Sequence, residues 1–150
     1  MSSSYVRTQV LDFVSSFIDP EKLLDLSGEF REIKELLSDE GISTLDPWTG
    51  IEFIPGDEIP ITVGADNTSG KYRETGAVYF HIVGVAKLGG SGSILTRAET
   101  LRNALRGKRL GNVIIESVSP PSFSDGATLQ FEGGFTAASF LASYECDFDI

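Results

Sequence analysis

The stretch Ala77-Val78-Tyr79-Phe80-His81-Ile82-Val83-Gly84-Val85-Ala86-Lys87 decides how the rest of the chain is read. Side chains alternate along a strand, so Val78, Phe80 and Ile82 share one face and Tyr79, His81, Val83 and Val85 the other. Both faces are largely apolar, which predicts a central strand covered on both sides. Upstream, Trp48–Ile54 and Ile59–Val63 read as short strands separated by a turn at Pro55-Gly56-Asp57-Glu58, and Gly64–Lys71 (GADNTSGK) has loop composition. Downstream, Leu88–Ser93 (LGGSGS) reads as a flexible connector. Thr96–Arg106 then reads as a helix, opened by a Thr96/Glu99 capping box and closed by Gly107, with Ile94, Ala98, Leu101 and Leu105 as its buried stripe.

Three more strands are expected at Asn112–Val118, Thr128–Glu132 and Ser139–Phe148. The last alternates, with Phe140, Ala142, Tyr144, Cys146 and Phe148 inward and Ser139, Ser143, Glu145 and Asp147 outward. Before the sheet, Val6, Val10, Phe13, Val14 and Phe17 give a helix over Ser4–Ile18 its apolar face. Asp19-Pro20-Glu21 reads as a second start, predicting helix within Asp19–Glu40 as one bent or two short pieces. The expectation is a single domain over 1–150, mostly helical in 1–50 and carrying sheet plus one helix in 51–150. Its fold class is α+β, with helices packed on one face of a mainly antiparallel or mixed sheet.

Composition narrows function. The 150 residues carry 12 Lys+Arg against 22 Asp+Glu, a net charge of −10, which argues against general nucleic-acid binding because phosphate neutralisation needs a basic face. One Cys and one His can build neither an intrachain disulfide nor a Cys/His zinc site. No uncharged window approaches the ~20 apolar residues of a membrane helix, and the N-terminus lacks the basic start of a signal peptide, so a soluble protein of a reducing compartment is expected.

No residue pattern calls for catalysis, a cofactor or a metal. A His81–Cys146 dyad is conceivable, against the plainer reading of a strand histidine beside a buried core cysteine. Gly89-Gly90-Ser91-Gly92-Ser93 lacks both the Walker ending and dinucleotide spacing. Glu145, Asp147 and Asp149 could offer oxygens to a hard cation, but a charged edge-strand face accounts for them more simply. A small-ligand pocket near Trp48 and His81 is a further reading.

Charge is segregated along the chain. Arg97, Arg102, Arg106, Lys108 and Arg109 form the basic patch, on the second half of one helix and the loop after it. Such a patch on an acidic protomer suits head-to-tail association, in which different patches on identical copies meet. The alternatives are pairing within the chain and plain solvation. Arg97, Arg102, Arg106, Lys108 and Arg109, with the carboxylates Glu145, Asp147 and Asp149, are therefore the candidate interface residues.

The run Arg73–Gly92, RETGAVYFHIVGVAKLGGSG, resembles the middle of bacteriophage tail terminator (tail completion) proteins, in which an Arg and a Gly open a long strand and a Gly-containing loop leads into a helix. The helix Ala98–Leu105, the strand Val113–Val118, the loop Pro120–Ser124, the ending Tyr144-Glu145-Cys146-Asp147 and the first helix at Arg7–Val14 extend the likeness. It covers about two-thirds of the chain, mainly Ile51–Ile150, while Asp19–Gly50 is longer and more acidic than the family pattern. The resemblance implies a homo-hexameric ring that caps the tail tube, stops its polymerisation and offers a surface for head attachment. Its partners would be the tail tube protein and a head-completion or neck protein, with DNA passing through the lumen without specific binding. Its place would be the virion tail, assembled in the host cytoplasm. Another neck ring or tube subunit of the same tail fits the same residues.

Overall fold

Fifteen consecutive residues on each of two strands, Lys71–Val85 and Phe135–Asp149, pair antiparallel from end to end and form the spine of the sheet. This computed structural model describes residues 4–18, 23–26, 31–32, 47–61, 71–85, 90–123, 129–130 and 135–149. In chain order these hold α1 (Ser4–Ser15), β1 (Leu23–Asp25), β2 (Arg31–Glu32), β3 (Trp48–Pro60), β4 (Lys71–Val85), α2 (Gly90–Leu105), β5 (Arg109–Leu110), β6 (Val113–Val118), β7 (Ser122–Phe123), β8 (Leu129–Gln130) and β9 (Phe135–Asp149). The main sheet runs β1-β3-β4-β9-β6-β5, with β7 also on β9, while β2 and β8 pair separately. It is mixed, because β1 lies parallel to β3 while the other pairings in this sheet are antiparallel, and it forms a half-barrel with two helices. The α+β expectation holds at this level.

The helices cover one face. Val6, Val10 and Val14 of α1 and Ile94, Ala98, Leu101 and Leu105 of α2 join Ile51, Phe53, Val78, Phe80, Ile82, Ala138, Phe140, Ala142, Tyr144 and Cys146 in one buried cluster. These sheet positions follow the expected alternation, and Phe80 stacks on Phe140 with ring centroids 4.9 Å apart. Arg7 ties α1 to the sheet edge, its guanidinium 4.7 Å over the Phe53 ring and paired with Asp25. At the other end of the sheet the Asn112 N–H donates to the Tyr5 hydroxyl at 3.0 Å. Gly107 ends the second helical segment as predicted, with φ of 67°, a left-handed conformation that favours glycine.

Several expectations need correction. α2 begins at Gly90, so Thr96 lies inside the helix, and the Thr100 hydroxyl donates to its carbonyl at 2.9 Å. Its first turn is glycine- and serine-rich, which composition alone reads as loop. Pro55-Gly56-Asp57-Glu58 does not end a strand: β3 runs through it with a bulge between Pro55 and Glu58, and β4 begins at Lys71 to pair with that extension. Leu23–Asp25 is a strand beside β3, and Arg31–Glu32 pairs with Leu129–Gln130, where helix was expected. Leu24 and Leu26 are buried on either side of exposed Asp25, an alternation too short to distinguish from a helix by period. The remainder of Asp19–Glu40, residues 62–70, 86–89 and 124–128, and the ends of the expected Thr128–Glu132 strand lie outside the described residues.

Candidate functional site

Facing positions on β3, β4 and β9 define the second sheet face, away from the helices. Gly50, His81 and Ser139 sit opposite one another, with Glu52, Tyr79 and Leu141 in the next row. His81 is fully buried. Its Nε2 lies 3.1 Å from Glu52 Oε2 and its Nδ1 2.8 Å from Ser139 Oγ. With Glu52 ionised, Nε2–H donates to the carboxylate and Nδ1 accepts from the serine hydroxyl. Ser139 faces away from the helices as the alternation predicts, yet it is 2% exposed and serves as the buried histidine's partner. Tyr79 tilts against the imidazole with centroids 4.5 Å apart.

This ladder bears on two chemical readings. Cys146 lies seven residues from Ser139 along β9, about 23 Å at strand rise and on the opposite face, so no His81–Cys146 dyad exists. Burial, reinforced by Glu74 and Asp147, pushes the Cys146 thiol above its ordinary range, away from thiolate character. Trp48 is also buried, so neither Trp48 nor His81 presents accessible surface to a ligand.

Farther along the same face, Arg73 answers the carboxylates of β9. Its Nε and Nη2 donate to Asp147 Oδ1 and Oδ2 at 2.7 and 2.9 Å, a bidentate fork, and Nη1 lies 3.6 Å from Glu145 Oε2. Hydrogen bonding to Arg73 holds the Asp147 carboxyl below the usual carboxylate range. Glu116 on the β6 bulge goes the other way: its hydrogen bond with Glu145, then desolvation, raises its pKa. Glu145 and Asp147 thus work within the chain, with Arg73 as the residue that charge counting along the sequence overlooked. The Asp149 backbone pairs with Lys71, and its side chain lies outside the description.

The basic patch divides in the same way. Arg102 turns inward, donating from Nε to the Ser119 carbonyl at 2.8 Å and from Nη2 to that of Val118 at 3.3 Å, so it fastens α2 to the end of β6. Arg109 Nε donates to the Gly111 carbonyl at 3.3 Å. Arg97, Arg106 and Lys108 are exposed and make no ion pair among the described residues. These three are the candidate interface cations. Arg97 also stands on the rim of an open groove of about 310 Å³ between the end of α1 and α2, floored by Phe17, Ile18, Ile82 and Leu101.

No family model and no curated protein matches the chain. Among solved structures, one designated only by a sequence identifier matches over 99% of this chain and 97% of its own, with a TM-score of 0.51 and 11% identity. That likeness is one of fold. It extends over nearly all of both chains, so the arrangement of sheet and helices occurs elsewhere with very different residues. No described helix is long and apolar enough to cross a membrane.

Proposed function

We propose that the chain is a structural assembly subunit of a phage tail, a terminator whose protomers close head to tail into a homo-hexameric ring. The ring caps the tube, stops its polymerisation and offers a surface to the head-completion or neck protein. The observation that carries this reading is the exposed cationic edge Arg97, Arg106 and Lys108, unanswered by any described carboxylate on a protomer of net charge −10. A cationic edge on an acidic body is what unlike patches on identical copies need if they are to meet. The likeness of Arg73–Gly92 to tail terminators supplies the kind of assembly. An acidic lumen would let DNA pass without adhering.

The test is the double substitution Arg106→Glu/Lys108→Glu in the phage or prophage that encodes the chain. Both side chains are exposed, and the fold should survive, as circular dichroism would check. Tails in electron micrographs should then become overlong and headless. Normal-length, filled particles would remove these residues from the capping interface. Arg102 is unsuited to this test, because reversing its charge would also unfasten α2 from β6.

A further inference from the structure

Beyond Ile51, where its pairing with β1 ends, β3 continues along β4 as the outer strand, among the described residues, of an arm whose inner strands are β4 and β9. Every β3 residue from Ile54 to Pro60 is exposed. Ile54 and Ile59 are five positions apart, an odd spacing that would put them on opposite faces of a regular strand. The bulge between Pro55 and Glu58 adds one residue against β4, so Ile54 opposite Ala77 and Ile59 opposite Arg73 fall on the same face. Ile61 follows two positions later, its N–H donating to the Lys71 carbonyl at 2.9 Å. These isoleucines are 40, 49 and 36% exposed, a strip with the exposed Asp57 beside it in the bulge, whereas Glu58, opposite Glu74, falls on the other face.

The outer edge of this arm is a poor template for another strand. Pro55 and Pro60 have no N–H to offer, and the bulge breaks the ladder. A partner would therefore meet the strip through side chains. The groove beside Arg97 has the matching character: an apolar floor of Phe17, Ile18, Ile82 and Leu101, the Thr96 side chain, and Arg97 as the cation on its rim. It borders Thr49 at one end of β3, whereas the strip is centred on Ile59 ten residues along, about 30 Å away at strand rise. Strip and groove also lie on opposite faces of the sheet. An arm so placed faces away from the groove of its own chain.

We infer that the β3–β4 arm of one protomer seats its isoleucine strip in the α1–α2 groove of a second copy, with Asp57 against Arg97. This rests on the ring reading and gives it a specific joint. The occupant is a second copy of this chain because the arm brings both an apolar strip to match the groove's apolar floor and, in Asp57, a carboxylate to match its rim cation. The contact is heterologous, so it propagates from copy to copy until a ring closes.

Sedimentation velocity over a concentration series tests the joint with the full chain. Wild type should form a discrete multimer. Ile54→Ser/Ile59→Ser should weaken association at least about 100-fold, because two buried isoleucines would be lost from the contact. Arg97→Glu should weaken it about tenfold. Combining Arg97→Glu with Asp57→Lys should restore it to within about threefold of wild type, a recovery only a direct pairing explains. All the altered residues are exposed, and circular dichroism confirms each fold. A wild-type multimer that survives the isoleucine substitutions unchanged overturns the joint while leaving the ring reading intact. A wild type that stays monomeric at every concentration also overturns the joint between free protomers, and the tail-length experiment then decides the ring reading separately.

Discussion

Arg73 sits among three carboxylates, and two of them, Asp147 and Glu116, are displaced in opposite directions. Asp147 takes the guanidinium fork and is held low, so its contribution is present above the ordinary carboxylate range and fades as pH falls through its depressed folded value. Glu116 has the opposite sign. Hydrogen-bonded to Glu145 and raised above its ordinary 4.5, it stabilises the fold when protonated and loses that contribution as pH rises through its folded value. At neutral pH, Glu116 is therefore a cost. Glu116→Gln keeps a donor for Glu145 without the second charge, and should raise the melting temperature at pH 7 by about 1–2 °C for an exposed site. The gain should vanish by about pH 4, where wild-type Glu116 is itself protonated. Scanning calorimetry across that range would show it, and a variant less stable than wild type at pH 7 would refute the assignment. None of this was visible along the sequence, where Arg73, Glu116 and Asp147 are far apart. Register across β4, β9 and β6 brings them together, as it brings Glu52, His81 and Ser139 into one ladder.

At the scale of elements, period-two alternation makes β4 and the buried side of β9 readable from the sequence, as the valine spacing does α1. What composition misread was punctuation. Gly90 to Ser93 look like a linker yet carry the first turn of α2, and Pro55-Gly56-Asp57 looks like a turn yet is a bulge within β3. The bulge depends on Gly56. A Cβ there would stand 2.2 Å from the Thr75 carbonyl oxygen, a backbone atom that cannot step aside. The Thr75 hydroxyl holds the loop of the bulge from the other side, donating to the Asp57 carbonyl at 3.3 Å while lying 3.3 Å from the Asp57 N–H. Gly56→Ala should therefore open the arm and spare the core. Amide exchange should accelerate at least about tenfold at residues 54–60 and at the alternate amides within 72–76 that face β3, while protection in α1 and in the amides of β4 that face β9 stays within a factor of about two. Association should weaken in parallel, because the shared face of Ile54 and Ile59 requires the bulge. Unchanged exchange in the arm would show that the ladder absorbs the methyl group.

At the scale of the molecule, the net charge of −10 opposes the proposed assembly that the cationic edge would favour, and magnitudes decide between them. Two protomers with centres about 35 Å apart would repel by about 12 kcal/mol in water without salt. At 0.15 M salt the Debye length is about 8 Å, and that repulsion drops to the order of 1 kcal/mol. A pair such as Arg97 with Asp57 acts over a few ångströms and contributes about 1 kcal/mol, so salt removes far more repulsion than attraction. Apolar burial of the isoleucine strip is insensitive to moderate salt. Association should therefore strengthen when ionic strength rises from about 10 to 150 mM at neutral pH, the reverse of a joint held mainly by surface ion pairs. It should strengthen again as pH falls toward the isoelectric point near 4.4, provided the fold persists. Sedimentation velocity at fixed protein concentration would read both changes, and a multimer that dissociates on adding salt would place ion pairs, rather than the apolar arm, at the centre of the contact.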